Sequence, residues 1–142
     1  MGVNITFLGG ADTVTGSKYL VRHADETLLV DCGLFQGYKA VVLTHAHLDH
    51  SGYLPVMFKE GFDGHVYASH GTQSLCKILL PDSGHIQEED AQFANRHGLS
   101  QHVPALPLYT RQDALDCLPH IKAVPWGKTF QPMPGWKATF SA

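Results

Sequence analysis

The segment AVVLTHAHLDHSG, residues 40–52, places three histidines and an aspartate directly after a short apolar run. On a strand, His45, His47 and Asp49 would share one face, while His50 would point to the other. On a helix, His47 would lie nearly opposite the face shared by His45 and Asp49. A loop at the end of a strand can bring all four side chains together, and imidazoles with a carboxylate are ligands that suit zinc. The segment therefore predicts a metal site on a loop that follows a buried strand.

The composition is that of an ordinary globular domain. Of the 142 residues, 44% are hydrophobic and 16% are charged, which fits one domain with a core of its own. The net charge of −3 provides no overall basic field of the kind that favours nucleic acid. No apolar run approaches the roughly 20 residues of a membrane span, and the N-terminus lacks the apolar stretch of a signal peptide. We therefore expect no membrane association.

The cysteines argue against a disulfide framework. Cys32, Cys76 and Cys117 are odd in number and far apart, and no CxxC pair occurs. A reducing cytoplasm therefore fits this chain best. Cys32 follows a candidate site residue, Asp31, but we expect it to be a small buried side chain and not a metal ligand.

Alternating or continuous apolar runs bounded by turn residues predict several strands. The predicted strands cover residues 4–9, 17–22, 26–33, 40–45 and 64–70, and further strands and turns are expected in the tail over residues 121–142. The run at 40–45 is apolar without alternation, which is typical of a strand buried on both faces. The segment GGADTVTGS, residues 9–17, is better interpreted as a turn than as a phosphate-binding loop, because no clear helix follows it.

Four helices are predicted between and after these strands. The first, residues 52–61, is expected to be capped by Ser51, and the second, residues 71–80, to be stopped by Pro81. A polar third helix over residues 86–98 would end at Gly98 and carry its acids in its first turn. The fourth, within residues 107–119, has a capping signal in Thr110 and Asp113 and would be stopped by Pro119. Helices that interleave with strands predict an α/β fold of layered sheets with outer helices.

The histidine loop also predicts a kind of chemistry. His45 and His47 can bind one zinc ion, while Asp49 and His50 can turn toward a second one. Two metals about 3.5–4 Å apart can share a hydroxide that acts as nucleophile near neutral pH. Such a pair can cleave a phosphodiester, or polarise the carbonyl of an ester or amide. The motif alone leaves these substrates open.

Several segments carry a family resemblance. THAHLDH, residues 44–50, matches the HxHxDH signature of the metallo-β-lactamase fold. FLGGADTVTGSKYLV, LLVDCGLFQG and THAHLDHSGYLP, residues 7–21, 28–37 and 44–55, together resemble the β-CASP RNA-processing nucleases. The resemblance continues through residues 78–91 and 123–142 and so covers nearly the whole chain. GADTVTGS followed by DCGLFQG is the more discriminating part, since β-lactamases and glyoxalases share only the histidine motif.

The resemblance implies an α/β fold of the metallo-β-lactamase αββα sandwich type, with residues 1–142 as its incomplete N-terminal part. It implies a zinc-dependent RNA phosphodiester hydrolase with two zinc ions, RNA as substrate and a homodimer as one assembly state to test. In the family, His45 and His47 would bind one zinc, and Asp49 and His50 the other. Asp49 would also handle a proton as the catalytic residue, and Asp31 would orient the metal loop.

The chain also departs from the family pattern. Asp31 ends one strand and His45 follows another, so both can reach one site only if these strands are parallel. A parallel crossover needs about a dozen residues or more, and the connection between them is shorter. Either the strands are antiparallel and Asp31 is remote, or residues are missing between Lys39 and Ala40, which we favour. A glycine-histidine motif, a bridging aspartate, the β-CASP domain and a final histidine would be expected after Ala142.

Two other functions stay open at this point. One is a metallo-hydrolase of thioesters, lactones or lactams, and the other is a non-catalytic scaffold subunit of an RNA-processing complex. Endonuclease and exonuclease action cannot be distinguished, because that choice depends on the inserted domain. Four aromatic residues of the tail could stack on nucleotide bases, but we expect them to pack in the protein. They are Trp126, Phe130, Trp136 and Phe140.

Overall fold

A six-stranded mixed sheet forms the centre of the fold in the computed structural model, which describes residues 2–9, 18–31 and 39–141. The expectations for Cys32 and for most of the turn over residues 9–17 lie outside these ranges. The strands lie side by side in chain order: β1 Asn4–Gly9, β2 Lys18–His23, β3 Glu26–Val30, β4 Ala40–Val42, β5 His65–Ser69 and β6 Ile121–Val124. The five strands predicted between residues 4 and 70 are therefore confirmed as elements, but β4 ends at Val42 and not at His45 as predicted, and residues 32 and 33 of the predicted third strand lie outside the described ranges.

The sheet changes direction at its middle. β1, β2 and β3 pair antiparallel, and the β2–β3 hairpin turns at Ala24, whose φ of 52° lies in the left-handed region. β3, β4, β5 and β6 then pair parallel to one another. The parallel pair β3–β4 matters most for the site, because it brings the carboxyl ends of both strands to the same edge of the sheet. The antiparallel alternative for Asp31 is therefore wrong.

Four α-helices and a small second sheet complete the described structure. The helices are α1 Leu48–Ser51, α2 Leu54–Lys59, α3 His70–His97 and α4 Arg111–Cys117, followed by a 3-10 turn over Leu118–His120. The second sheet pairs β7 Thr129–Phe130 with β8 Ala138–Thr139. No helix in the described ranges is both long enough and apolar enough to cross a membrane.

The main core lies between the sheet and the helices. Leu29, Val41 and Val66 on the sheet are fully buried and belong to one cluster with Leu54 of α2 and Leu80 of α3. Burying a side chain of this size contributes roughly 1.5–3 kcal/mol. This cluster fixes the helical layer against the parallel strands of the sheet, which include β4, the strand that the histidine loop follows.

The opposite face of the sheet has a smaller core. Leu28, Ala40 and Val42 alternate with the residues of the main core, as the two-residue period of strands requires. The tail covers this face, with Phe130, Trp136 and Phe140 packed against it. The Trp136 Nε1–H also donates to Glu26 Oε2 at 2.7 Å. Packing of these aromatic residues is therefore confirmed, whereas Trp126 is 59% exposed.

The predicted stop at Pro81 is wrong, because α3 runs without interruption from His70 to His97. Proline inside a helix removes one hydrogen bond and crowds the preceding turn. Pro81 is nevertheless buried, together with Leu80 and Gly84 of the same helix, and packing of both halves against α4 outweighs the local preference. The acids after His85 consequently lie in the middle of a helix and not in a first turn. The predicted helix end at Gly98, whose φ is 63°, is confirmed as the end of α3.

The predicted role of Ser51 is also wrong. Ser51 is the last residue of α1, and the next helix begins after Tyr53, with Pro55 in its first turn. The fourth predicted helix is confirmed: Thr110 caps α4, and a capping box joins it to Asp113. Pro119 lies in the 3-10 turn that follows α4.

Candidate metal centre

The four predicted ligands lie at the carboxyl edge of the parallel strands: His45 and His47 on the loop after β4, and Asp49 and His50 on the one-turn helix α1 that continues it. Asp31 follows β3 directly, and its backbone N–H donates to the carbonyl of Val42 on β4 at 2.9 Å. The loop leaves β4 through Leu43 and Thr44 and turns into α1 at Leu48. Ligands of parallel sheets commonly bind outside the carboxyl ends of the strands. The topology thus places Asp31 beside the loop, although 13 residues separate it from Thr44 in sequence.

Asp31 is the buried centre of a hydrogen-bond network. Its side chain is 1% exposed, and Oδ1 accepts from the backbone N–H of Thr44 at 2.8 Å. The Thr44 hydroxyl lies 2.9 Å from Oδ1 and 2.8 Å from Oδ2. Oδ2 also lies 2.9 Å from His50 Nδ1. A buried carboxylate is costly unless donors surround it, and here every donor comes from the histidine loop.

The backbone of Asp31 supports this arrangement. Its φ of 61° lies in the left-handed region, which aspartate tolerates better than most residues because its short side chain can bond locally. This conformation ends β3 and turns the carboxylate toward Thr44. Such sparsely populated backbone conformations concentrate at functional sites.

The imidazoles of the loop lie against one another. The ring centroids of His45 and His50 are 4.0 Å apart, and those of His45 and His47 are 4.7 Å apart. His50 Nε2 lies 3.4 Å from Asp49 Oδ2, and the His50 side chain is only 13% exposed. His47 and Asp49 face solvent to a larger degree. The structure thus gathers all four predicted residues in one place.

One helical turn holds the second half of the loop. The backbone N–H groups of His50 and Ser51 both donate to the carbonyl of His47 at 2.9 Å. The fully buried Ser51 hydroxyl donates to the carbonyl of Ala46 at 2.9 Å and also reaches that of His47 at 3.1 Å. Ser51 therefore ties the loop to α1.

The side chains are bonded to each other and are not arranged around a common point. Among the residues that the structure describes, no group of three or more His, Cys, Asp or Glu side chains is placed so that it could hold a metal ion. The chemistry of the donor set nevertheless fits zinc in one respect. A zinc-bound histidine usually donates its other ring N–H to a carboxylate, and His50 has this partner in Asp31. Its Nε2 then remains for a metal.

The buried thiols do not belong to this donor set. Cys76 and Cys117 are free and fully buried in the main core. Burial raises the pKa of Cys76 to about 11, against the opposing effect of a hydrogen bond with Ser51, and burial raises the pKa of Cys117 to about 12. Both therefore stay protonated at neutral pH, and metals bind thiolates.

Two polar residues of the site were not identified from the sequence. The sequence presents Thr44 only as part of the motif, and it predicts a helix cap for Ser51. Their contacts are with carbonyls, a carboxylate and an imidazole that only the folded loop brings near. The position of Thr44 between a buried strand and the first histidine is the one local signal that could have indicated it.

Fold and site together define a chain of the metallo-β-lactamase fold. The subclass B3 metallo-β-lactamase BJP-1 of Bradyrhizobium japonicum superposes with a TM-score of 0.54 and 18% identity, over 96% of this chain and 48% of that one. Zinc-bound PqqB of Methylobacterium extorquens gives a TM-score of 0.50 and 20% identity, over 89% and 42%. The predicted fold class is therefore confirmed.

Sequence relatives define the family further. A ribonuclease of Thermus thermophilus is 32% identical over 142 residues, which cover 89% of this chain. The transcription termination factor FttA of Methanocaldococcus jannaschii is 31% identical over 155 residues, which cover 96% of it. The chain belongs to the β-CASP family of the metallo-β-lactamase fold, as its motifs predicted. No protein-family model matches it.

The chain is short beside these relatives. It spans 29% of the length of the Thermus ribonuclease and 22% of that of the Methanocaldococcus factor. What those whole proteins do therefore does not by itself describe this chain.

Proposed function

We propose that the protein is a zinc-dependent RNA phosphodiester hydrolase whose centre includes residues 44–50. The observation that carries the proposal is the contact of the buried Asp31 carboxylate with both Thr44 and His50, which joins two strands at one edge of the sheet. A carboxylate in this position orients a ligand histidine. The relative that is named a ribonuclease supports RNA as the substrate.

The residues would divide the work as the motif suggests. His45 and His47 would hold one zinc ion, and Asp49 and His50 would hold a second one. Bound zinc supplies an activated water as nucleophile and neutralises charge on the phosphate. The Asp49 side chain is 37% exposed and its Oδ2 lies 3.4 Å from His50 Nε2, a position that supports the proposed proton-handling role of this carboxylate.

We propose further that the site is completed by residues outside this sequence, and that residues are missing between Lys39 and Ala40. The β3–β4 connection is shorter than a parallel crossover normally requires. In addition, the alignment with the Methanocaldococcus factor extends over 155 residues and so exceeds this chain of 142, which requires residues in the relative that this chain lacks. An intact mass well above 15.6 kDa for the purified protein would support this, whereas a mass of 15.6 kDa would contradict it.

The test of the function is cleavage of labelled single-stranded RNA by the purified protein, with zinc and with a chelator. We expect zinc-dependent products that disappear with the chelator. His47→Ala should abolish cleavage, because it removes a ligand, whereas His102→Ala, an exposed histidine outside the site, should leave it unchanged. Product lengths would also separate endonuclease from exonuclease action.

Each rival function predicts a different result. Products that persist with the chelator would contradict the proposal. Turnover of a thioester or lactone with RNA left intact would favour a small-molecule hydrolase, and a protein that binds no zinc would favour the scaffold. A homodimer and a cytoplasmic location stay predictions from the sequence.

A further inference from the structure

Thr44 stands between the buried Asp31 carboxylate and the first histidine of the loop. Its Oγ1 lies 2.9 and 2.8 Å from the two Asp31 oxygens and 2.9 Å from His45 Nδ1. Its backbone N–H makes a separate bond to Asp31. The hydroxyl therefore has three polar neighbours but only one proton to donate.

The direction of that proton follows from the chemistry of the neighbours. An ionised carboxylate can only accept, so the Thr44 hydroxyl has to donate to Asp31; otherwise oxygen lone pairs would face each other at 2.8 Å. The Thr44 oxygen then offers a lone pair to His45 Nδ1. The contact of 2.9 Å is a hydrogen bond only if Nδ1 carries the proton.

We propose that Thr44 is a positioning residue that fixes His45 in the tautomer with its proton on Nδ1. A neutral imidazole has one N–H, so Nε2 of His45 then keeps its lone pair and faces away from Thr44. Asp31 imposes the same tautomer on His50 directly, through the contact of 2.9 Å between Oδ2 and Nδ1. One buried carboxylate thus prepares two histidines, one directly and the other through a threonine hydroxyl.

This inference rests on the proposed function where it concerns zinc, because Nε2 of His45 is the atom that would face the ion. A wrong tautomer would have to lose its Nε2 proton and regain one on Nδ1 before binding. Outer partners of ligand histidines typically change metal affinity by about 10–100-fold. The tautomer itself can be tested without any metal.

The experiment is a long-range ¹H–¹⁵N correlation spectrum of the metal-free chain at about pH 8, where free imidazole is neutral. His45 is assigned through its absence in His45→Gln. We expect a protonated Nδ1 in the unmodified protein and in Thr44→Ser, which keeps the hydroxyl. Thr44→Val keeps the backbone bond to Asp31 and loses only the hydroxyl, so it should move protons from Nδ1 to Nε2. Thr129→Val, which removes a hydroxyl bonded to Thr139, is the control.

A zinc titration of the same variants completes the test. Thr44→Val should bind zinc about 10-fold more weakly, while Thr44→Ser and Thr129→Val should bind as the unmodified chain does. A protonated Nε2 on His45 in the unmodified protein would overturn the inference even if Thr44→Val failed to fold. An unchanged His45 spectrum in folded Thr44→Val would also overturn it. Failure of the unmodified protein to bind zinc, with the residues proposed to complete its site present, would instead contradict the proposed function, while the spectra still decide the role of Thr44.

Discussion

Two threonine–aspartate pairs occur among the residues that the structure describes, and they have different partners. At the start of α4, the Thr110 hydroxyl accepts from the backbone N–H of Asp113 at 3.1 Å, and the Asp113 carboxylate accepts from the N–H of Thr110 at 2.8 Å. Each side chain thus accepts a hydrogen bond from the backbone N–H of the other residue, three positions away in sequence. At the candidate site, Thr44 and Asp31 are 13 residues apart and follow different strands, β4 and β3.

The two pairs differ in the groups to which their remaining hydrogen-bonding capacity is directed. The capping box uses its two mutual bonds on backbone groups that a helix start would otherwise leave unsatisfied, and Asp113 has a further contact, with Lys59 Nζ at 3.3 Å. The Asp31 carboxylate has capacity beyond Thr44 and uses it on His50, and the Thr44 oxygen reaches His45. The local pair, called closed here because both of its mutual bonds lie within one helical turn, stabilises a helix start, whereas the open long-range pair contacts two of the histidines proposed as metal ligands.

The largest effect should come from Asp31→Asn. Asparagine tolerates the left-handed conformation of this position, so the backbone is kept. Its amide N–H₂ would face groups that already donate, which leaves buried donors unsatisfied. We expect a loss of about 3 kcal/mol in the free energy of unfolding and at least about 10-fold weaker zinc binding.

Urea denaturation and a zinc titration measure these two effects. Asp25→Asn, in the exposed turn between β2 and β3, is the control and should change neither quantity. A free energy of unfolding of Asp31→Asn within about 0.5 kcal/mol of that of the unmodified protein would show that the open pair does not stabilise the fold.

Gly84→Ala tests the closed pair through α3, because Gly84 faces the backbone of Thr110 and Arg111 at the start of α4. A Cβ on Gly84 of α3 would lie 2.7 Å from the carbonyl carbon and oxygen of Thr110 and from Arg111 N, which are backbone atoms with little freedom to move. Alanine favours a helix interior by about 0.5–1 kcal/mol over glycine. The clash should outweigh this gain and lower the unfolding free energy by about 2 kcal/mol.

Gly71→Ala, in the same helix, is the matched control. Within the described part of the chain, nothing lies closer than 4 Å to the point that a Cβ on Gly71 would occupy, so alanine there should stabilise the protein by up to about 1 kcal/mol. Zinc binding should stay the same in both variants, because neither touches the histidine loop. Equal stability changes in the two variants would contradict the close approach of α3 to the start of α4.

The same contrast explains what could be predicted from the sequence. Thr110 and Asp113 lie within one helical turn, so their spacing was enough. The proximity of the four predicted ligand residues followed from their spacing in sequence, whereas the placement of Asp31 beside them needed the family resemblance and the argument on parallel strands. The helix end predicted at Pro81 was wrong because packing of α3 against α4 outweighs the local preference of proline to end a helix. The helix cap predicted at Ser51 was wrong because its hydroxyl donates to the carbonyls of Ala46 and His47, in a loop whose path no local sequence pattern predicts.

The smallest effect concerns the pH dependence of the capping box. The backbone N–H of Thr110 is the main cause that lowers the pKa of Asp113 below its usual value of 3.8, with further help from the Thr110 hydroxyl and Lys59 and against partial burial. A lowered folded-state pKa means that the charge of Asp113 stabilises the fold above pH 3.8, and that this contribution is lost as the pH falls through the lower value. Urea unfolding of the protein and of Asp113→Asn should therefore differ near neutral pH and converge in strong acid, while Asp116→Asn on the same helix serves as the control. A difference that stays constant with pH would mean that the closed pair acts through its hydrogen bonds alone and that its charge contributes nothing.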